Sequence, residues 1–379
     1  MELTIKSLPL YWRFVETLEP HSLIPTLYDF TFSYDSDLCL FVEPLTTDLL
    51  NVLEMIYSAE ANIGYMIDGH NLAESYGREY IDFLCCMLGD FRGKKVVDVG
   101  CGGCLILEKL KGGGAQVLGV DPSPVAKYAA ETKQIELLNT FFEDGLLTGY
   151  NADAIIQMDV LEHVFDPVSL LRKEAKAVSS SGRIIINVPN CELSISKGDV
   201  SMAIHQHVNM FTRRSLAKVV EAAGLYVEEM RCSNYGSAIF CSATTNKSKQ
   251  KYSSTDFIGA DTSWGTFFEK AKLRIKRFRE FYLKNVSEDV GYFVFQRSLP
   301  YLSAIGVEPR GRMFDNNSLW HRKYIDGVPS RIENQTDFVQ NPTKELVIFS
   351  HSFGHQIKDE ILKLGISSSV FTQSDVFGD

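Results

Sequence analysis

The chain has 379 residues, of which 45% are hydrophobic and 23% charged, and its formal net charge is −10. This length exceeds one ordinary hydrophobic core and predicts two or three domains. The acidic balance argues against nucleic acid as the main partner, because phosphate contacts need a basic surface. There is no apolar run of about eighteen residues and no signal-peptide pattern at the N-terminus, so we expect a cytoplasmic protein without a transmembrane segment.

The eight cysteines show no spacing typical of a disulfide framework. Cys101 and Cys104 have the separation of half a zinc site or of a redox pair, but no second pair follows at a suitable distance. We therefore expect a structural role for these two side chains and no metal site.

In chain order, residues 1–70 mix short apolar runs with turn residues and predict a small α+β cap. Apolar side chains then repeat at helical spacing over 72–88 and predict a helix. Strands and helices alternate beyond it, which predicts a Rossmann-like α/β core with a parallel sheet covered on both faces. The predicted elements are strand 95–99, helix 104–111, strand 116–120, helix 123–131, strand 135–142, strand 153–158, helix 167–178, strand 182–188, helix 213–223 and strands 225–231 and 237–244.

A glycine turn follows the first of these strands. Gly100 and Gly102 let the backbone bend with positive φ and let a ligand approach the main-chain N–H groups. Asp121 ends the second strand, where a carboxylate can bind both hydroxyls of a ribose. The dinucleotide fingerprint needs a third glycine, but Leu105 stands there. Asp98 suits a ligand with an ammonium and a sulfonium, so S-adenosylmethionine fits better than NAD.

The second half of the chain predicts a connecting segment and another α/β unit. The polar stretch 246–255 indicates a linker or exposed loop. Residues 264–282 have the pattern of a basic amphipathic helix. Such a helix either binds a membrane surface or packs its apolar face on a domain. Further strands are predicted at 291–295, 311–314 and 346–350, with a last helix at 355–364. The expected domains are a cap over 1–70, a cofactor-binding core over 71–247, a linker and helix over 248–285, and a C-terminal α/β domain over 286–379.

Three ordered motifs carry a family resemblance. The pattern Asp98-x-Gly100-x-Gly102, the carboxylate Asp121 and the segment Asp159–Val164 resemble successive motifs of the class I S-adenosylmethionine-dependent methyltransferases. The resemblance implies that the two glycines line the methionine part of the cofactor and that Asp121 binds its ribose. It also implies that Phe142 and Glu143 lie near the adenine. Asp98 and Asp159 complete the set of expected cofactor-binding residues.

A second resemblance concerns the acceptor. Segments 314–318 and 323–329 resemble the C-terminal domain fused to sugar methyltransferases of the nucleotide-sugar C-methyltransferase type. The four zinc cysteines of those enzymes are missing, since only Cys39 precedes residue 85. Their Tyr-x-Glu-His pattern becomes Ile204-x-Gln206-His207. Carbon deprotonation needs a stronger base than hydroxyl deprotonation, so we expect O- or N-methylation.

Two histidines are candidates for the catalytic base. His207 lies in the segment that resembles the acceptor cover, and His163 matches a histidine that faces the pocket in related methyltransferases. A histidine that caps a helix or holds a loop is the structural alternative for each. His205, Asn234 and Tyr235 are the candidates for acceptor contact, although ordinary turn chemistry explains Asn234 and Tyr235 equally well.

These observations predict an enzyme that methylates a hydroxyl or amine of a saccharide or sugar-nucleotide intermediate, with cell-surface glycan synthesis as a fitting setting. The alternative is a non-catalytic binding or scaffold protein that kept the methyltransferase fold. The intact cofactor motif favours the enzyme. The sequence predicts no oligomeric state.

Overall fold

The structure is a computed structural model that describes residues 2–10, 14–18, 26–59, 71–234, 236–260, 264–318, 320–350 and 354–378. The strands are β1 (Leu3–Pro9), β2 (Phe14–Val15), β3 (Leu27–Asp35), β4 (Leu40–Val42), β5 (Lys95–Val99), β6 (Gln116–Val120), β7 (Glu136–Leu138), β8 (Ala152–Met158), β9 (Val178–Pro189), β10 (Asn209–Met210), β11 (Tyr226–Cys232), β12 (Ala238–Thr244), β13 (Val290–Phe293), β14 (Arg312–Phe314), β15 (Tyr324–Ile325), β16 (Ile332–Glu333), β17 (Glu345–Ile348) and β18 (Ser369–Thr372).

The helices are α1 (Thr47–Ala59), α2 (Asn71–Leu88), α3 (Leu105–Gly112), α4 (Pro124–Lys133), α5 (Pro167–Ala175), α6 (Glu192–Lys197), α7 (Arg213–Ala222), α8 (Trp264–Asn285), α9 (Leu299–Ala304), α10 (Gln335–Gln340), α11 (Gly354–Lys363) and α12 (Gln373–Phe377). None of the helices in the described ranges has the length and apolar character needed to cross a membrane.

The chain divides into two compact units. The first comprises Met1–Phe32, Leu193–His205 and Thr262–Asp379, and the second comprises Ser33–Glu192 and Gln206–Asp261.

A seven-stranded sheet organises the second unit. Its strand order is β11-β12-β9-β8-β5-β6-β7, and β12 runs antiparallel to both of its neighbours while the pairs from β9 to β7 are parallel. Strand order reverses between β5 and β8, which pair directly. In an open α/β sheet, ligands bind beyond the carboxyl ends of the strands at such a reversal. The predicted Rossmann-like α/β fold is confirmed.

The core lies on both faces of this sheet. Alternate residues of β5 belong to different hydrophobic clusters, with Val97 and Val99 on one face and Val96 on the other. All three are at most 5% exposed. A strand buried on both faces needs a continuous apolar run rather than alternation. That requirement explains why the sequence around β5 and β6 predicts their bounds without error.

Most predicted bounds in this unit lie within two residues of the observed ones, and three elements differ by more, among them the fifth helix, which ends at Ala175 rather than at residue 178. The third strand was expected over 135–142, but β7 ends at Leu138. The next side chain, Asn139, donates its amide to the carbonyl oxygens of Asp121 and Ser123 at 2.8 and 3.2 Å, so the chain here binds a neighbouring loop instead of extending the sheet. Strand β9 begins at Val178 rather than at residue 182, with a register irregularity against β8.

The first unit contains a smaller parallel sheet of order β16-β14-β13-β17-β18. The predicted second α/β unit is therefore present, with its strands within a few residues of their expected positions. In the same unit β1 pairs antiparallel with β3, and β2 pairs with β15.

Helix α8 packs its apolar stripe inside the first unit. Phe267, Phe268, Ala271 and Phe278 are at most 1% exposed. The buried Arg274 donates to the Tyr301 hydroxyl at 3.1 Å, and that hydroxyl donates to Asp199 at 2.8 Å. The apolar face is already covered by protein, so of the two alternatives for this helix the structure favours packing on a domain. The four-domain division itself stays a prediction.

Candidate active site

The glycine turn has the conformation that its sequence predicts. Gly100 has φ +73° and Gly102 has φ +45°, in the left-handed region that glycine adopts without steric cost. The Gly100 N–H donates to the Val120 carbonyl at 2.8 Å. A Cβ built on Gly100 would lie 2.5 Å from Val160 Cγ2, so the turn after β5 lies directly against the loop after β8.

Asp98 places a buried carboxyl group at this turn. Its side chain is 4% exposed, and among the described residues no hydrogen-bond donor reaches it. Burial raises the pKa of the Asp98 carboxyl well above its ordinary value, and the nearby Cys104 and Asp121 add to this effect. A buried carboxylate without a partner is costly, and a cationic ligand would remove that cost. The residue therefore fits a cofactor that carries an ammonium and a sulfonium.

Asp121 fixes the same turn from the end of β6. It is 7% exposed, and its two carboxylate oxygens accept hydrogen bonds from the Gly102 N–H at 2.9 Å and from the Ser123 N–H at 2.7 Å. Asn139, the residue after β7, donates its side-chain amide to the Asp121 carbonyl. Carboxylate oxygens can accept more than one bond each, so the side chain can hold the turn and still meet ribose hydroxyls.

Substitution of Asp121 tests this assignment. We expect Asp121→Ala to weaken S-adenosylmethionine binding by about 1 to 3 kcal/mol through lost charge-assisted hydrogen bonds, which is roughly 5- to 150-fold in Kd. Asp121→Asn keeps one acceptor oxygen and should lose less. Calorimetry measures both, with the exposed Asp144→Ala as control. An Asp121→Ala affinity equal to that of the unmutated chain contradicts the ribose assignment.

The other predicted cofactor residues lie in different surroundings. Phe142 is 8% exposed and belongs to a hydrophobic cluster of the core, whereas the Glu143 side chain is 68% exposed and pairs with Lys173 at 3.6 Å. Asp159 follows β8 with φ +54°, an uncommon backbone conformation for a non-glycine residue, and its N–H donates to the Asn187 carbonyl at 3.1 Å. Their roles at the cofactor stay predictions.

The structure brings the two predicted catalytic histidines together. The rings of His163 and His207 have centroids 4.8 Å apart at 74°. His163 Nδ1 lies 2.6 Å from the Gln206 carbonyl oxygen, which can only accept, so Nδ1 carries the proton and Nε2 keeps its lone pair. The Tyr57 hydroxyl lies 3.1 Å from the same Nδ1 and 3.4 Å from the same carbonyl. Burial lowers the pKa of His163 to about 4, so its ring is neutral at neutral pH.

Sequence reasoning missed three residues of this group: Tyr57, Glu162 and Gln206. Glu162 is 1% exposed, and its Oε1 lies 3.8 Å from His163 Nε2. Burial raises the pKa of the Glu162 carboxyl well above its ordinary value, with a further contribution from Asp159. A glutamate next to a histidine inside an otherwise apolar segment was the available signal for Glu162. Nothing in the spacing indicates Tyr57, which comes more than a hundred positions earlier.

The remaining predicted residues have other partners or surroundings. His205 belongs to the first unit, is fully buried, and places its Nε2 3.2 Å from the Leu8 carbonyl oxygen. Asn234 is exposed, and its backbone N–H donates to Glu79 at 2.8 Å. Tyr235 lies outside the described residues. Cys101 and Cys104 are free thiols with sulfurs 3.7 Å apart, buried in the glycine turn.

Known proteins are similar to this chain in sequence. A family model described as a methyltransferase domain matches residues 70–230. The ubiquinone biosynthesis O-methyltransferase of Aeromonas salmonicida is 33% identical, over 41% of this chain and 72% of that enzyme. The enzyme of the same name from a Ruegeria species is 31% identical over 36% of this chain, which spans only 61% of its length.

Solved structures are also similar to this chain. An S-adenosylmethionine-dependent methyltransferase from Mesorhizobium loti is 17% identical with a TM-score of 0.38, over 45% of this chain and 99% of that one. The magnesium protoporphyrin IX methyltransferase of Synechocystis with bound S-adenosylhomocysteine is 16% identical with a TM-score of 0.42, over 52% and 100%.

The sheet order, the glycine turn and the two buried carboxylates define an α/β protein that binds a cofactor with a nucleoside part. Together with the sequence matches they assign the family: this chain belongs to the class I S-adenosylmethionine-dependent methyltransferases. It is an enzyme, its cofactor is S-adenosylmethionine, and the scaffold alternative is set aside.

Proposed function

We propose that the enzyme transfers the methyl group to a hydroxyl oxygen of a small acceptor, with a saccharide or sugar nucleotide as the acceptor class. The choice of a hydroxyl acceptor is supported by the orientation of His163. Its Nδ1–H donates to the Gln206 carbonyl, so the Nε2 lone pair is available. A hydroxyl must lose its proton during methylation, whereas a neutral amine can attack without help. The relatives above are named O-methyltransferases, which supports the same choice.

The cofactor supplies an electrophilic methyl group on sulfur. The chain contributes the rest of the arrangement, because Gly100, Gly102, Asp98 and Asp121 offer main-chain amides and carboxylates where the strands β5 and β6 end. The loop that carries His163 leaves β8 beside this turn, since Val160 lies against Gly100. A displacement at carbon depends on alignment of nucleophile and methyl. The acceptor hydroxyl loses its proton beside the His163–His207 pair. The proton passes to an imidazole nitrogen of the pair, or the hydroxyl is made more acidic by an ion that the pair binds.

Two observations bear on the acceptor. The segments 314–318 and 323–329 resemble the C-terminal domain of sugar methyltransferases, which supports a saccharide. The named relatives support a second candidate, an intermediate of ubiquinone biosynthesis. The free thiols of all eight cysteines support action in a reducing compartment, and we propose the cytoplasm.

An acceptor screen tests the proposal. The full chain is incubated with labelled S-adenosylmethionine and with sugar nucleotides, free saccharides, amino sugars and hydroxylated ubiquinone precursors. We expect S-adenosylhomocysteine and an O-methylated product with a sugar-nucleotide or saccharide acceptor. Mass spectrometry of the product locates the methyl group. Methylation of nitrogen or carbon contradicts the hydroxyl proposal, and turnover with the ubiquinone precursors alone replaces the saccharide by the second candidate.

A further inference from the structure

Three metal-ligating side chains of the second unit lie close together. Glu162, His163 and His207 each offer a ligand atom, and these atoms all lie within 4.8 Å of one another. The three residues form a group of one carboxylate and two imidazoles, which we call the Glu–His–His cluster. It spans positions that are more than forty residues apart in the sequence, so the fold assembles it.

The carboxylate of this cluster has no partner among the described residues. Glu162 is 1% exposed, and neither of its side-chain oxygens takes part in a hydrogen bond. The separation of 3.8 Å from His163 Nε2 is too long for one. Buried carboxylates are otherwise paired or bound to metal, because an uncompensated one is costly. The side-chain amide of Gln206, also 1% exposed, is likewise without a hydrogen bond.

The orientation of His163 matches that of a metal ligand. Metal-binding histidines usually donate their second ring N–H to a carbonyl or carboxylate, which fixes the tautomer. Here the Gln206 carbonyl accepts from Nδ1 at 2.6 Å, and the Tyr57 hydroxyl lies beside both. Nε2 is left on the side of Glu162.

We propose that the Glu–His–His cluster binds a divalent first-row transition-metal ion such as Zn²⁺. Two ligands on a tetrahedral ion with bonds of about 2.1 Å are roughly 3.4 Å apart. The ligand atoms of the cluster all lie within 4.8 Å of one another, so small side-chain rotations that move these atoms by about 1 Å bring them to that spacing. Imidazole nitrogen favours these ions over Mg²⁺ and Ca²⁺, which prefer oxygen. Three protein ligands leave a coordination position open.

This inference rests on the proposed function and assigns a role to the open position. The acceptor hydroxyl binds there, and the ion lowers the pKa of that hydroxyl as it does for bound water. Its proton passes to solvent. The oxygen then forms a bond to the methyl carbon while the carbon–sulfur bond breaks and its electron pair stays on sulfur. The oxidation state of the ion does not change. The sequence did not indicate this metal site. Glu162 and His163 are adjacent, and His207 follows more than forty residues later, which is not a spacing typical of a metal-binding motif.

Metal binding by the full chain tests the inference directly. Chelator-treated protein is dialysed against Zn²⁺ alone, and bound metal is counted by elemental analysis. We expect about one ion per chain, and at least a tenfold increase in Kd for Glu162→Gln, His163→Gln and His207→Gln. The exposed His355→Gln serves as a matched control and should bind like the unmutated chain. Calorimetry with S-adenosylmethionine checks that each variant is folded.

A Co²⁺ spectrum of the unmutated chain keeps the inference testable even if a variant does not fold. Absorption bands of nitrogen-ligated Co²⁺ support it. Absence of saturable metal binding overturns it, and so does equal binding by the three cluster variants and the control. Methyl transfer to a hydroxyl that persists in metal-free protein also overturns it while leaving the proposed function intact. Stoichiometric metal binding without any O-methylated product supports the metal site and contradicts the proposed function.

Discussion

His207→Ala should lower the turnover of the enzyme by about 10²- to 10⁴-fold, the usual contribution of assisted proton removal. The physical reason is that the His163–His207 pair handles the acceptor proton, whether by an imidazole or through a bound ion. The affinity for S-adenosylmethionine should stay unchanged, because the cofactor residues lie at the ends of β5 and β6. Steady-state kinetics with the acceptor found by screening measures the first quantity, and calorimetry measures the second.

A neighbouring histidine provides the control. His205 is fully buried in the first unit and bonds the Leu8 carbonyl, so His205→Gln should affect the stability of the fold more than the chemical step. Unchanged turnover in His207→Ala removes this residue from the mechanism. A variant that loses turnover and cofactor affinity together indicates a structural role for His207 instead.

Gly100→Ala should destabilise the enzyme and weaken cofactor binding strongly. The new Cβ would lie 2.5 Å from Val160 Cγ2, closer than side chains approach, and the backbone would keep a φ of +73°. Left-handed conformation costs an L-residue about 1 to 2 kcal/mol, and overpacking costs about 1 to 3 kcal/mol. The expected total is a loss of about 2 to 5 kcal/mol in the free energy of unfolding.

A second substitution separates the two causes. Gly100→Ala combined with Val160→Ala removes the clash but retains the positive φ, so it should recover the steric part and leave about 1 to 2 kcal/mol. Val160→Ala alone supplies the reference for the cycle. Denaturant unfolding measures all four proteins. If the double variant is no more stable than the sum of the single effects predicts, the contact with Val160 is not the source of the loss.

The sequence predicted the parts of this fold that depend on local patterns. Strands β5 and β6 are short, mostly apolar segments that end in a glycine turn and a carboxylate, so their bounds and the cofactor turn follow from the local sequence pattern. Strand β7 was overextended because its end depends on Asn139, whose amide bonds backbone of the loop after β6. A hydrogen bond between a side chain and a distant segment does not change the hydrophobic periodicity of the sequence, so the pattern does not predict where such a strand ends.

The acceptor side was harder to predict for the same reason. His163 and His207 were identified as separate candidates from their motifs, but their contact depends on how the loop after β8 meets the segment before β10. Tyr57 and the Gln206 carbonyl act on His163 through one hydroxyl and one backbone oxygen, groups that nearly every segment contains. His205 and His207 are only two positions apart in the sequence, yet His205 belongs to the first unit and contacts the Leu8 carbonyl, whereas His207 belongs to the second unit and contacts the His163 ring.

The two hydrogen bonds that Asp121 accepts have a consequence for the kinetics of cofactor capture. Both bonds join groups of the chain itself, so they order the amides of Gly102 and Ser123 without a contribution from the cofactor, and this loop does not have to become ordered during association. A preorganised receptor loses little conformational entropy on binding. Association with the donor should accordingly be a single fast step, without a slow rearrangement phase that depends on this loop.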